Sequence, residues 1–426
     1  MTRPARQYPA LVVETAQIDD PGPLAPLLDA HGPVLWMRRG FGMVGLGCAL
    51  RLEFSGPSRM ADAAAAWREV AAAARVADPL NRTGSGLVAF GSFAFSDRSS
   101  ATSVLLVPSV IIARDTGQSW ITRIGVGELP PAPELSGVTP AAGESAQGVE
   151  FRPGAFSAQA YRGAVETAVA RILDHEVSKV VLARDLVGRM PAGADVRGVI
   201  DALGTSYPSC WTYAIDGLVG SSPETLVSVS HGSATARVLA GSAARGADVA
   251  SDQDASVALA TSAKDQDEHE YAVQNVLASL RRHSANVTAS EVPFTLKLPN
   301  LWHLASDIEA TLADGSTSLD LIAALHPTAA VAGTPTPAAL AMIDALEPFD
   351  RGRYAGPVGW VGADGDGEWA IALRCAQIAA DGTVTAYAGA GIVAESIAEH
   401  ELVETRMKFR PILEAFEQSV DRLPAS

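Results

Sequence analysis

The sequence predicts an α+β fold, and three features point to it. Strand-like and helix-like segments alternate through the first 125 residues and recur after residue 157. Short turns join neighbouring strands, as at Arg38-Arg39-Gly40 and at Asp364-Gly365-Asp366-Gly367. The 426 residues, 48% of them hydrophobic and including 38 Gly and 26 Pro, suffice for a large core.

In the first part of the chain, Pro33 to Met37 and Gly42 to Phe54 read as strands. Met60 to Val76 is an alanine-rich helix with Ser58 as its candidate cap. Leu87 to Phe95 and Ser103 to Ala113 return to strand. The apolar run Val104 to Ala113 contains Pro108 and is too short to span a bilayer, so it reads as buried strand. No catalytic constellation is visible here, and this half reads as scaffold. From Glu128 to Gly154 the chain is rich in Pro, Gly, Ser and Ala without a period, which marks a connecting loop. The expected division is an N-terminal α+β half, residues 1–150, and a second half, 151–420, that carries the chemistry.

The second half opens with a helix from Ser157, its cap, to Asp174, with Tyr161, Val165, Val169 and Ile172 as the apolar stripe. The next strand, Ser178 to Arg184, puts Lys179, Val181 and Ala183 on one face. A lysine beside such an apolar run loses proton affinity when desolvated and can then act as a base. The plainer account is a strand-end lysine that reaches solvent. Trp211 to Val219 reads as one strand, followed by a small-residue turn that holds Glu224. A carboxyl shielded there stays protonated and can serve as a general acid, or it simply caps backbone amides. Arg237 to Arg245 is strand running into the glycine turn Ala240-Gly241-Ser242.

Lys264 to Arg281 is a strong helix with Asp265 and Glu268 three residues apart. Leu301 to Leu304 is strand, and His303 within it is more often a satisfied core histidine than a ligand. Leu319 to Leu325, with Ser318 as cap, and Ala338 to Leu346 are helices. Val358 to Val361 and Glu368 to Arg374 form a hairpin, whose acidic turn lacks the ligand pattern of a calcium loop. Thr383 to Ala388 is strand leading into Gly389-Ala390-Gly391, small residues whose backbone N–H groups could meet a carboxylate. On the last helix, Glu401, Glu404 and Lys408 fall within about 60° of one another on one face. Alone, such a helix is most simply a solvated face with a Glu-to-Lys pair. With Asp265 and Glu268 it makes a second acidic face, and two such faces could close on one hard divalent cation.

The formal net charge of -16 argues against nucleic acid or anionic membrane as a main partner. Cys48, Cys210 and Cys375 fit no metal or redox spacing and read as small core hydrophobes in a reducing compartment. Met1 to Ala10 has no apolar core and reads as no signal peptide, so the expected location is the cytoplasm.

Taken together, these segments resemble the chorismate-utilising enzymes: isochorismate, salicylate, anthranilate and aminodeoxychorismate synthases. The similarity runs from about Ser157 to Leu413. It rests on ordered motifs: Lys179 to Arg184, Ser222-Pro223-Glu224, Leu239 to Ser242, Lys264 to His269 and Leu301 to Leu304, then Leu325 to Thr328, Leu373 to Ala376, Ala388 to Val393 and the Glu401/Glu404/Lys408 helix. The resemblance implies an anthranilate synthase component I-like fold, layered antiparallel sheets flanked by helices, in which both halves build one body. It implies Mg²⁺ held by Glu268 and Glu404 with Glu401 and Asp265 in support, on the ring carboxylate of chorismate. It implies Lys179 as the base that activates water for attack at C2 and Glu224 as the acid for the departing C4 hydroxyl. Gly241, Ser242, His303, Ala330, Arg374, Lys408 and the backbone from Gly389 through Ala390 to Gly391 would line or hold the substrate.

Within that group the residues point to isochorismate synthase. Lys179 is shared by water-using members, and Ala240 stands where aminodeoxychorismate synthases can carry a lysine. Ala330-Val331 resembles isochorismate synthases, whereas salicylate and anthranilate synthases usually place a hydroxyl at the position of Ala330. The flanking Ala329-Ala330-Val331 departs from the Pro-Ala-Leu of better matches. The expected reaction is Mg²⁺-dependent isomerisation of chorismate to isochorismate, serving menaquinone, siderophore or salicylate synthesis. The alternative is a salicylate synthase that also eliminates pyruvate. A catalytically silent homologue should have lost one of Lys179, Glu224, Glu268 or Glu404, and all four are present. No glutaminase subunit is expected, and nothing demands more than a monomer.

Overall fold

The computed structural model describes residues 8–133, 146, 148–191, 193–297 and 301–417. About half of the predicted connecting loop and part of the N-terminal stretch lie outside these. The described residues form an α+β fold of two large sheets with eight α-helices around them. In the 13-stranded sheet the order begins at Arg152–Pro153, Lys179–Arg189, Thr383–Ile392, Cys375–Ile378, Leu218–Ser222 and Trp211–Ile215. It continues through Val34–Arg38, Phe41–Leu46, Val110–Asp115, Gln118–Val126, Leu11–Ile18 and Arg75–Ala77, and Gly333–Thr334 pairs with Lys179–Arg189. In the 10-stranded sheet Leu301–Thr311, Ser233–Ala244, Thr225–Ser230, Gly367–Ile371 and Pro357–Gly362 lie side by side, followed by Val88–Ser92, Ser103–Val107 and Leu50–Phe54. Each sheet joins strands from the two ends of the chain: Val34–Arg38 pairs with Trp211–Ile215, and Pro357–Gly362 with Val88–Ser92.

Side-chain alternation along Val34–Arg38 explains why the first sheet is buried on both faces. Val34 and Trp36 enter the core shared with Phe90, Tyr213 and Trp369, while Leu35 and Met37 enter a second core under helices Arg197–Ser206 and Ala398–Ala415. Such strands read as continuous apolar runs and do not alternate.

Several elements differ from the sequence reading for reasons of turn chemistry. Trp211 to Val219 is a hairpin, not one strand: Asp216 (φ 53°) and Gly217 (φ 77°) turn the chain between Trp211–Ile215 and Leu218–Ser222. The apolar run through Pro108 is also two strands, Ser103–Val107 in one sheet and Val110–Asp115 in the other. Gly42 to Phe54 breaks in the same way, at Gly47 (φ 64°). Helix Arg59–Ala73 ends before Val76, and the Ser58 hydroxyl bonds to Asp62, leaving it no cap bond to the backbone. Helix Ser318–Leu325 is capped by Thr317 in a reciprocal box with Asp320, in place of the predicted Ser318. The Ser157 cap is present, its hydroxyl accepting from the Ala160 N–H at 3.1 Å. Cys210 and Cys375 are buried but Cys48 is exposed, so it is no core residue. Among the described residues, no helix is long and apolar enough to cross a membrane.

Candidate active site

Lys179–Arg189 and Thr383–Ile392 belong to one sheet, Ser233–Ala244 and Leu301–Thr311 to the other, and helices Ala263–Leu280 and Ala398–Ala415 complete a pocket among them. Its volume is about 290 Å³, the size for a small molecule. Every residue singled out from the sequence lines it except Ala390. Strand geometry explains the exception. Thr383–Ile392 runs on through the three small residues, so Gly389 and Gly391 face the pocket and the fully buried Ala390 side chain points into the core.

Lys179 opens its strand and reaches across Gly391. A Cβ on Gly391 would sit 2.9 Å from Lys179 Cε and 3.5 Å from Nζ, so any side chain there would displace the end of the lysine from this position. Its ammonium pairs with Glu268 Oε1. The Lys179 and Glu268 side chains are 14% and 25% exposed, so neither is a solvent-reaching surface group.

Glu224 and Arg374 occupy equivalent places in the architecture, where the chain crosses between sheets. Glu224 follows Pro223 between Leu218–Ser222 and Thr225–Ser230, and Arg374 lies between Gly367–Ile371 and Cys375–Ile378. The two crossings are tied together. The Ile371 N–H donates to the Glu224 carbonyl, and the Ser221 N–H donates to the Arg374 carbonyl, both at 3.1 Å. Burial pushes the Glu224 carboxyl up to about 7 against the opposing pull of Lys179, Arg374 and Lys408. A carboxyl poised there holds a proton at neutral pH and can give it up. Arg374 has a left-handed backbone (φ 49°), and its guanidinium makes no hydrogen bond or close ion pair among the described residues. Burial lowers its proton affinity, although Tyr354, Cys210, Glu404 and Glu224 act the other way. A guanidinium with its donors uncommitted in a pocket is suited to a carboxylate.

Gly241 (φ 79°) makes a bulge in Ser233–Ala244, where the register with Leu301–Thr311 shifts between Leu239 and Ser242. A Cβ at Gly241 would lie 3.2 Å from Asp265 Cβ, so this turn lets the acidic helix come close. The bulge also brings Ser242 opposite His303, whose Nδ1 is 2.9 Å from Ser242 Oγ and 3.4 Å from the Gly241 carbonyl. Burial, with Arg374 and Lys408 nearby, pushes His303 down to about 3, so the imidazole is neutral. An Nδ1–H tautomer serves both contacts and leaves Nε2 as an acceptor. His303 is therefore a pocket residue and not a plain core histidine.

Lys408 Nζ bonds Glu404 Oε1 at 2.6 Å and the Gly389 carbonyl at 2.9 Å. The backbone thus presents an acceptor here, in contrast with the N–H groups expected from the small-residue run. Burial pushes the Glu404 carboxyl up, but Lys408 and Arg374 outweigh it and hold the carboxyl below the ordinary value. Asp265, Glu268, Glu401 and Glu404 all face the pocket, yet no three His, Cys, Asp or Glu residues converge as a metal cage among the described residues. Mg²⁺ needs no such cage, since it takes one or two carboxylates and completes its shell with water and substrate oxygens. The four hard oxygen donors fit that ion.

Some of the wall was not legible in advance. Tyr354 stacks on Tyr387 at 5.2 Å, and a Cβ at Gly389 would lie 3.1 Å from its hydroxyl. Glu395, Ser396 and His400 also line the pocket. His269 stands just behind it. Its Nδ1 lies 3.1 Å from the Ala240 carbonyl and its Nε2 2.8 Å from Ser306 Oγ, locking the acidic helix onto both strands. The missed signal was helical spacing: His269 shares one face with the buried Ala272, Val273, Val276 and Leu280.

The sequence profile described as "Chorismate binding enzyme" matches residues 5–127 and 139–417. The chain is 41% identical to isochorismate synthase DhbC of Bacillus subtilis over 60% of this chain and 67% of that protein. It is 31% identical to the salicylate biosynthesis isochorismate synthase of Pseudomonas aeruginosa, over 96% of this chain and 91% of that one. Among solved structures it superposes on a putative 2,3-dihydroxybenzoate-specific isochorismate synthase, DhbC, of Bacillus anthracis. The TM-score is 0.76 at 28% identity, covering 93% of this chain and 99% of the other.

Proposed function

The chain belongs to the chorismate-binding enzyme family, and we propose that it is a Mg²⁺-dependent isochorismate synthase, adding water at C2 of chorismate and releasing the C4 hydroxyl. The observation that carries this reading is the meeting of Lys179, Glu224 and the uncommitted Arg374 guanidinium around one small pocket. Arg374 takes a substrate carboxylate in a two-pronged contact, and neutral His303 accepts a hydrogen bond through Nε2. As the neutral amine, its ammonium proton lost beforehand, Lys179 receives a proton from the water whose oxygen attacks C2. Glu224 gives its proton to the C4 hydroxyl, which leaves as water while the ring double bonds shift. One water enters and one leaves, so the net change is an isomerisation. Bound by Glu268 and Glu404, with Glu401 and Asp265 in support, Mg²⁺ would neutralise the ring carboxylate and the charge that builds as bonds shift.

Ala330 on the pocket wall supports isochorismate as the final product, because it offers no hydroxyl where pyruvate-releasing members usually have one. The test is chorismate with Mg²⁺, products separated by liquid chromatography over time. Isochorismate reaching a reversible plateau without salicylate is the expected result. Accumulating salicylate and pyruvate would overturn the product assignment, and no turnover would overturn the activity. The same reading has the enzyme act in the cytoplasm without a glutaminase subunit, its product feeding menaquinone or siderophore synthesis.

A further inference from the structure

A second cavity shares Glu224 and Ala330 with the main pocket but has a volume of only about 20 Å³. That is room for about one water, given that a water needs roughly 10–15 Å³ and two to four polar partners. Much of its wall is apolar, with Leu226, Ala236, Val238, Ala272 and Ala329 around it. Besides Glu224 and Arg237, which Asp307 holds, three hydrogen-bonding side chains line it. Thr328 Oγ1 is buried with no partner among the described residues. Thr225 Oγ1 accepts from Trp211 Nε1 at 2.9 Å and keeps its own proton to donate. Asn275, at an exposed position on the helix, also lines it. A buried hydroxyl left alone is costly, and a water here would satisfy it.

We propose that this cavity holds one water bonded to Thr328 Oγ1 and to the Glu224 carboxyl, and that Thr328 is a positioning residue through which Glu224 regains its proton after each turnover. The inference rests on the isomerase reading. Each turnover moves a proton from Glu224 to the departing hydroxyl and another from the attacking water to Lys179. The cavity water gives a proton to the Glu224 carboxylate and takes one from solvent on the Asn275 side, while Lys179 releases its extra proton to solvent. Substrate would cover Glu224 in the main pocket, whereas the small cavity is a separate space that Glu224 also lines. The charged groups around this carboxyl are Lys179, Arg374 and Lys408 in the main pocket, with Glu268 and Glu404 paired to the two lysines. Asp265, Glu395, Glu401 and neutral His303 also line the main pocket, and Arg237 at the small cavity is held by Asp307. None of the others occupies the cavity itself.

The test compares wild type, Thr328→Val and Thr328→Ser. Thr328→Val should lower kcat roughly tenfold, less than the 10²–10⁴-fold that loss of an acid costs, with KM little changed. It should raise the solvent deuterium isotope effect on kcat and make kcat rise with buffer concentration, as expected when reloading the acid limits the rate. Thr328→Ser should restore wild-type behaviour on all three. Wild-type kcat, isotope effect and buffer independence in Thr328→Val would overturn the inference, as would equal impairment of Thr328→Ser, which keeps the hydroxyl. A readout without turnover separates this from the functional reading. The carboxyl stretch of Glu224, identified by difference infrared against Glu224→Gln, should shift in Thr328→Val and not in Thr328→Ser. If the wild type leaves chorismate unchanged, the isomerase reading fails. The infrared band then decides the water on its own, and an unmoved band overturns it.

Discussion

Glu224→Gln keeps the shape of the side chain, removes its titration, and should separate stability from activity. In the folded protein the carboxyl is pushed from its ordinary 4.5 to about 7, mainly by burial. The folded state therefore binds this proton more tightly than the unfolded chain between those two values. Wild-type stability should fall as pH rises through that window, and the whole cost should be present above it. At about 1.4 kcal/mol per tenfold in proton affinity, the cost is about 3 kcal/mol. Glu224→Gln lacks it. Its unfolding free energy minus that of the wild type should grow by about 3 kcal/mol between pH 4.5 and pH 8, measured by urea unfolding at both. Over the same comparison kcat at neutral pH should drop by roughly 10²–10⁴. A stability difference that stays flat with pH, or one that grows in the wild type's favour, would refute the picture of a buried, proton-holding Glu224.

Lys179→Ala should lower kcat by roughly 10²–10⁴ while chorismate binding stays measurable by calorimetry; an active variant removes Lys179 from the chemistry. Gly391→Ala places a Cβ 2.9 Å from Lys179 Cε and should lower kcat roughly 10- to 100-fold in steady-state assays with the fold intact. Arg374→Lys keeps the charge but loses the fork, so KM for chorismate should rise roughly 10- to 100-fold; an unchanged KM would take Arg374 off the substrate. Glu404→Gln should raise the half-saturating Mg²⁺ concentration by roughly tenfold or more, and an unchanged titration would refute the ligand assignment.

What the sequence made legible was local. The 3.6-residue period places Glu401, Glu404 and Lys408 on one helix face and Asp265 with Glu268 on another, and both faces do turn to the pocket. The strand period likewise put Lys179 and Val181 on one face, and both line the pocket. Pairings between distant segments were out of reach. Nothing near Glu224 or Arg374 announces that each lies where the chain passes between sheets, because that depends on strands more than a hundred residues apart. Asp216-Gly217 was a readable hairpin signal that the surrounding apolar residues concealed. The strand read from the sequence stops at Ala388, before Gly389-Ala390-Gly391, because glycines are rare in strands. Here they are needed for the approach of Lys179 and Tyr354, and the alternation that follows turns Ala390 inward. Tyr354 belongs to the site through tertiary contact and carries no motif of its own, and His269, although it ends the Lys264 to His269 motif, shows its part only in the contacts it makes.

The most direct test of the central claim is to run the reaction in ¹⁸O-labelled water with chorismate and Mg²⁺ and locate the label in the product by mass spectrometry. Attack by water activated at Lys179, with the C4 hydroxyl leaving through Glu224, predicts isochorismate carrying one heavy oxygen at C2. Unlabelled isochorismate would mean that the original hydroxyl migrates within the substrate, and the roles given to Lys179 and Glu224 would be wrong.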